Sequence, residues 1–309
     1  MSTPDAGRAP FGARLAAAMD ASGPLCLGID PHPQLLAEWD LPDTPVALER
    51  FSMTALEAAV GSGSRPLVAA LKPQVALYER HGSAGLKVLE QLLAAARRAG
   101  LLTIADAKRG DIGSTMAGYA HAWLSDSSAL AADAVTLSPY LGYGSLAPAI
   151  ELAASTGRGV FVLALTSNPE GAAVQHAAGP DGAVARVVAE AAAADNARLL
   201  ASAESEPAAS APLTPAGTAR APFGPVGLVV GATVAGRAAE LGLDLEGVRG
   251  ALLAPGFGAQ GASGAGMRSG FGPAWPAVLA TSSRAILRQG PSITGLREAI
   301  AAAGEDLAG

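Results

Sequence analysis

The sequence predicts an α/β fold, a single-domain (β/α)8 TIM barrel over residues 1–309, on three observations. Eight short apolar runs recur along the chain. They are continuous rather than alternating, as suits parallel strands covered on both faces. Segments with helical spacing lie between them, and the repeat fills about 280 residues, the usual size of such a barrel. A doubly wound open sheet is the runner-up. No G-x-G-x-x-G follows the first strand, which weakens a dinucleotide-binding version of it.

The strands are expected in order at "LCLGID" (25–30), "LVAALKP" (67–73), "LLTIADAK" (101–108), "AVTLSP" (134–139) and "GVFVLALTS" (159–167), then at "GLVVGA" (227–232), "GALLAPG" (250–256) and "AVLATSSR" (277–284). Helical spacing is clearest over 46–60 and 84–100, where Leu86, Leu89, Leu92 and Leu93 form a stripe and Gly100 supplies a stop. The Ala/Pro/Ser-rich stretch at 201–225 breaks the rhythm and reads as a flexible surface insertion before the sixth strand. The alternation resumes after it, so it marks no domain boundary.

Composition narrows the function classes. The chain is 50% hydrophobic and 16% charged, with a formal charge of −6, and no basic patch suggests a nucleic-acid partner. Its single cysteine, Cys26, lies in the apolar "PLCLGI" and reads as a small buried hydrophobe. The N-terminus lacks the pattern of a secretory signal, and no apolar run reaches the roughly 18 residues of a membrane span. A cytoplasmic protein without a membrane partner is expected.

One stretch stands against this charge-poor background: "ADAKRGDIGST" (105–115), directly after the apolar "LLTI". Only three of the 21 basic residues are lysines, and two of them, Lys72 and Lys108, sit near the ends of strand-like runs. A lysine ammonium can deliver a proton near neutral pH, which arginine cannot. In a barrel of this type the C-terminal strand ends build the active site. The polar residues there are Asp30, Lys72, Asp106, Lys108, Thr136, Ser167, Gln260 and Arg284. Period-two geometry puts Asp106 and Lys108 on one face of their strand, with Lys72 on the preceding strand and Asp111 beyond, where the next helix begins. The glycine-dense "APGFGAQGASGAG" (254–266) lets backbone N–H groups approach an anion, and Arg284 follows the eighth strand. Loops after strands seven and eight are the usual phosphate site of such barrels.

These residues carry a resemblance. "DAKRGDI" is similar to the D-x-K-x-x-D-I signature of orotidine 5'-monophosphate decarboxylases. "LGIDP", "ALKPQ", "TLSPYLG", "LTSNPEG", "APGFGAQG" and "TSSRAIL" fall in the order and spacing of that family's strand ends. The resemblance covers the chain outside 201–225 and looks closest to the branch carrying "LTSNPEG". It implies decarboxylation of orotidine 5'-monophosphate to uridine 5'-monophosphate, the last step of pyrimidine nucleotide synthesis, without metal or organic cofactor. Carried over, Lys72, Asp106, Lys108 and Asp111 form the catalytic network. The family is homodimeric, so Asp111 and Thr115 would enter the partner's pocket. Asp30, Lys72 and Thr115 would hold ribose hydroxyls, and Thr136 would join the substrate contacts. Ser167 would meet the pyrimidine, Gln260 would bridge base and phosphate, and Arg284 would grip the phosphate. Closure of residues 257–272 over the phosphate is expected from the same comparison.

The chemistry has its own logic. Loss of carbon dioxide from ring carbon 6 leaves an sp2 carbanion that the ring π system does not delocalise. It needs fixed positive charge and a proton donor together. Lys108 held between carboxylates fits both needs, since nearby negative charge favours the ammonium. The nearest rival is a magnesium-dependent sugar-phosphate decarboxylase or aldolase of the same suprafamily. Those relatives carry a metal-binding glutamate where this sequence has Lys72, a cation that would repel Mg2+. A catalytically silent nucleotide-binding barrel is the other rival; it predicts loss of a network charge, and all four are present.

Overall fold

The structure, a computed structural model, describes residues 8–63, 65–204 and 222–309. Each predicted apolar run holds one strand, with ends shifted by at most three residues. The strands are β1 Leu25–Ile29, β2 Ala70–Pro73, β3 Leu102–Arg109, β4 Ala134–Leu137, β5 Gly159–Leu165, β6 Val226–Val230, β7 Leu252–Pro255 and β8 Val278–Ser282. All pair in parallel in sequence order, and β8 closes the barrel against β1 through Leu25↔Ala280 and Leu27↔Ser282.

The outer layer follows from the helical runs. The longer helices among the described residues are α1 Phe11–Ser22, α2 Pro45–Val60, α3 Gly82–Arg98, α4 Gly113–Leu124, α5 Ala147–Ser155, α6 Val184–Glu204, α7 Gly264–Phe271 and α8 Ile293–Ala308. Thr44 caps α2 by accepting the Ala47 N–H, and Pro45 supplies a preset first turn. On α3 the buried stripe is Val88, Leu89, Leu92 and Leu93, while Leu86 is only half-buried. The alternation lapses once: between β6 and β7 the described helical structure is one 3₁₀ turn, Ala235–Arg237. The segment there is broken by glycines, and Gly242 takes a left-handed φ of 74°.

Helix α1, not foreseen from sequence, closes the bottom of the barrel. Its Phe11, Leu15 and Met19 pack onto the lower interior layer, which includes Cys26, Ala70, Ile104, Phe161, Leu253 and Leu279. Phe11 meets Phe161 edge-to-face at 6.0 Å. This approach requires Gly159, where a Cβ would lie 2.2 Å from the Phe11 ring. Arg14 pins the helix by donating to Asp133 at 2.5 Å and to the Gly157 carbonyl at 2.9 Å.

Also at the bottom, the buried Asn196 of α6 ties the start of β6 to the turn before β7 through main-chain groups. It donates to the carbonyls of Val226 and Val248 and accepts the Val226 N–H, all within 3.0 Å. The expected insertion at 201–225 lies largely outside the described residues. Residues 201–204 complete α6, and Phe223 already packs against the lower layer.

Strand β3 is irregular where it matters. It advances from Ala105 to Arg109 while β4 advances from Val135 to Leu137, so four steps oppose two. Lys108 absorbs the excess with φ 47°, in the left-handed region. The excess is an even number of residues, so the inward face is preserved and both Asp106 and Lys108 reach the mouth.

Candidate active site

The inward positions run from apolar at the bottom to polar at the top, two residues at a time. Ala70 is followed by Lys72 and Gln74; Ile104 by Asp106 and Lys108; Ala134 by Thr136; Cys26 by Gly28 and Asp30. Gly28 keeps the centre open, since a Cβ there would meet the Ser283 Cβ at 2.9 Å and the Asp30 carboxylate at 3.5 Å.

Asp106, 8% exposed, is the hub. Its Oδ2 accepts from Lys72 Nζ at 2.6 Å and Gln74 Nε2 at 3.1 Å. Its Oδ1 accepts from Lys108 Nζ at 2.6 Å and Thr136 Oγ1 at 3.0 Å. Lys72, 4% exposed, also lies 3.9 Å from Asp30 Oδ1. Burial alone would push the Asp106 carboxyl up, yet the two ammonium groups and their hydrogen bonds outweigh it and hold the carboxyl well below its usual range. Burial likewise disfavours the Lys72 ammonium, and Asp106 and Asp30 overcome this to hold its pKa above the ordinary lysine value. The Lys108 head, in contrast, is half-exposed and faces the opening. The arrangement therefore offers one buried structural cation and one accessible cation, both fixed by a single carboxylate. The Lys72 ammonium occupies the space between the Asp30 and Asp106 carboxylates. Among the described residues no set of His, Cys, Asp and Glu converges as a metal site.

Six of the ten predicted site residues fall outside the tightly bonded group of Lys72, Asp106, Lys108 and Thr136. Asp30 borders it. Ser167 and Gln260 meet each other across the mouth, with Ser167 Oγ donating to Gln260 Oε1 at 3.2 Å. Arg284 opens the short helix Arg284–Leu287 and lines a cavity of about 400 Å³ with His32, Gln34 and Arg288. Asp111 accepts its neighbour Ile112's N–H, and Thr115 is exposed on the first turn of α4. Among the described residues no ion pair joins Asp111 to the hub within one chain. Thr136, expected among the substrate contacts, is 1% exposed; its hydroxyl donates to Asp106 and accepts the Lys108 N–H at 2.9 Å. It supports the network from beneath. The segment 257–272, expected to close over the phosphate, is only partly exposed. Phe257 is buried and α7 anchors Met267 and Phe271 in the core, while residues 258–261 and 263 form an exposed tip ahead of the helix.

Sequence reasoning passed over three polar side chains here. Gln74 is one; Thr281 and Ser283 of the β8 end are the others. Their inward parity with respect to neighbouring strand positions was the available signal. The buried atoms Asp30 Oδ1 and Ser283 Oγ have no hydrogen-bond partner in the structure, and Thr281 Oγ1 has only the weak Cys26 thiol beside it. Buried polar atoms left this way cost about 1–3 kcal/mol each, so this side of the mouth is suited to a polar occupant.

Fold and site together define a (β/α)8-barrel protein with a lysine–aspartate–lysine network set in its mouth. The orotidine 5'-phosphate decarboxylase / HUMPS family model matches residues 23–298. An orotidine 5'-phosphate decarboxylase of Salinispora arenicola is 52% identical over 289 residues, 94% of each chain. That of Streptomyces coelicolor is 51% identical over 290 residues, again 94% of each. Among solved structures, a Streptomyces avermitilis chain assigned the same activity superposes with a TM-score of 0.85 at 48% identity, covering 100% of this chain and 98% of that one. The Leishmania donovani OMP decarboxylase gives 0.68 at 26% identity, with 97% and 98% covered. The chain belongs to the orotidine 5'-phosphate decarboxylase family.

Proposed function

We propose that this protein is a carboxy-lyase converting orotidine 5'-monophosphate to uridine 5'-monophosphate and carbon dioxide, the last step of de novo pyrimidine synthesis. The observation that carries the reading is the Asp106 hub, which sets the accessible Lys108 ammonium at the barrel mouth within a chain of this family. In the reaction the bond from ring carbon 6 to the carboxylate breaks and its electron pair stays on that carbon. Lys108 supplies the opposing charge and then the proton, forming the new C–H bond. Asp106 neighbours the substrate carboxylate and orients Lys108. Lys72, locked by Asp106 and Asp30, keeps those carboxylates in place.

The rest of the pocket suits a nucleotide. Asp30, whose Oδ1 accepts no hydrogen bond, and Lys72 hold ribose hydroxyls. Ser167 contacts the pyrimidine, Gln260 bridges base and phosphate, and Arg284 grips the phosphate as a fork. Phosphate binding, remote from the reacting carbon, drives closure of the 258–263 tip. No metal or organic cofactor takes part in this scheme.

The working unit is a homodimer in which Asp111 and Thr115 complete the partner's pocket. The loops after β3 and β4 run side by side, joined by the Ser138 N–H to the Arg109 carbonyl, and there Ile112, Tyr140 and Leu141 are exposed, Tyr140 by 79%. Such an apolar patch beside the mouth supports a second copy at that place.

The test is the ultraviolet absorbance of orotidine 5'-monophosphate on adding the protein, with and without EDTA. The orotate chromophore should decay equally in both, and Lys108→Ala should slow the decay by about 10⁴-fold or more. A wild type that leaves the absorbance unchanged would sink the assignment.

A further inference from the structure

The carboxylate of Asp106 accepts four hydrogen bonds, two on each oxygen, which fills its lone-pair positions. Two of the donors are ammonium groups. The other two are neutral and come from the strands on either side: Thr136 from β4 and Gln74 from the end of β2. Since a carboxylate only accepts, the Gln74 amide must present its nitrogen, and this fixes the orientation of the whole amide. The Gln74 main chain is held as well. Its N–H donates to the Ile29 carbonyl at 3.1 Å, the residue bridges Asp106, and the next N–H, that of Val75, donates to the Asp106 carbonyl.

A neutral donor at this place has a specific merit. A third cation would compete with Lys72 and Lys108 for the same oxygens. A carboxylate would stand 3.1 Å from Asp106 Oδ2, where like charges repel. An amide N–H stops the carboxylate from turning about its Cβ–Cγ bond without altering the charge balance. Turning would let one oxygen favour one lysine at the other's expense, and Lys108, half-exposed on a flexible stem, would be the one to drift.

We propose that Gln74 is a positioning residue for the decarboxylation: its amide fixes the plane of Asp106, which in turn fixes the Lys108 ammonium over the reacting carbon. The inference rests on the function proposed above. It assigns Gln74 no contact with substrate, so its effect falls on kcat rather than on KM.

The experiment measures kcat, KM and Tm for wild type, Gln74→Met and Gln74→Glu from about pH 5 to about pH 9. Gln74→Met keeps the length and removes the donor. It should lower kcat by about 10²-fold, the effect of a small misplacement of a catalytic group, with KM within about twofold. Gln74→Glu keeps the shape and can donate only while its carboxyl is protonated. Its kcat should approach that of wild type at the acid end and fall as pH rises, a slope that loss of packing would not produce. Because it is nearly isosteric, it also serves if Gln74→Met folds poorly. An active wild type with Gln74→Met equal to it in kcat, or with Gln74→Glu independent of pH, overturns this inference alone. A wild type without turnover overturns the function and this inference together.

Discussion

The two ends of this barrel treat buried polar groups in opposite ways. At the bottom, Asn196 directs its amide to two main-chain groups at the start of β6 and one in the turn before β7, and Arg14 and Asp133 tie α1 to the ends of neighbouring elements. Those bonds close on the protein itself. At the mouth, Asp106 is saturated, yet around it Asp30 and Ser283 each present a buried oxygen that accepts no hydrogen bond, and Lys108 presents half-exposed charge. Polar groups that satisfy one another stabilise a fold, whereas groups left wanting invite a ligand.

Substitutions at the two ends should therefore separate rate from stability. Lys108→Ala should remove nearly all turnover while changing unfolding free energy by no more than about 2 kcal/mol, since it deletes one charge-assisted hydrogen bond. Asn196→Leu should do the reverse, costing roughly 3–5 kcal/mol by stranding three buried main-chain groups, with kcat of the folded fraction unchanged. Denaturant unfolding and steady-state kinetics on both variants check this. A large rate loss in Asn196→Leu would blur the division.

A smaller effect tests whether the mouth is complete in one chain. Mixing Lys108→Ala with Asp111→Ala, each inactive, should restore about a quarter of wild-type activity after subunit exchange, because half the dimers would be mixed and each would hold one intact site. No recovery, with exchange verified, would place Asp111 in its own chain's pocket.

The pH dependence of stability sharpens the contrast further. Asp106 is lowered on folding, so its contribution is present above its unfolded value of about 4 and is lost as pH falls towards the folded value. Lys72 is raised, so its contribution is present below about 10.4 and is lost as pH rises further. Asp106→Asn should thus lower stability by about 3 kcal/mol across that whole window, the gap to wild type narrowing only below about pH 4 or above about pH 10. A step in the gap near neutrality would contradict the assignment. The mildest expectation concerns Cys26, fully buried beneath Lys72, whose thiol burial pushes up to about 12. A thiol reagent should leave it untouched in the native protein and label it once per chain in denaturant.

Much of this was legible in advance, for a simple reason. Strands buried on both faces need uninterrupted apolar runs, so β1 to β8 stood out, and their polar ends marked Asp30, Lys72, Asp106 and Lys108. Parity survived the β3 bulge only because the extra residues came as a pair. Other features depend on what lies opposite in space. Helix α1 shows its role only against Phe161 and Gly159, and the hold of Thr136 on Asp106 shows only once the strand opposite is in place. Gln74 sat in plain sight within "ALKPQ", two residues beyond Lys72, but its value lies in completing a set of four donors that no linear pattern displays.

The helix across the barrel floor also governs traffic. With Phe11, Leu15 and Met19 stoppering the far end, the described residues leave the vessel a single doorway. Nucleotide must enter by it, and gas and product must leave by it in some order. The residues framing that doorway therefore meet every molecule that enters or leaves the site.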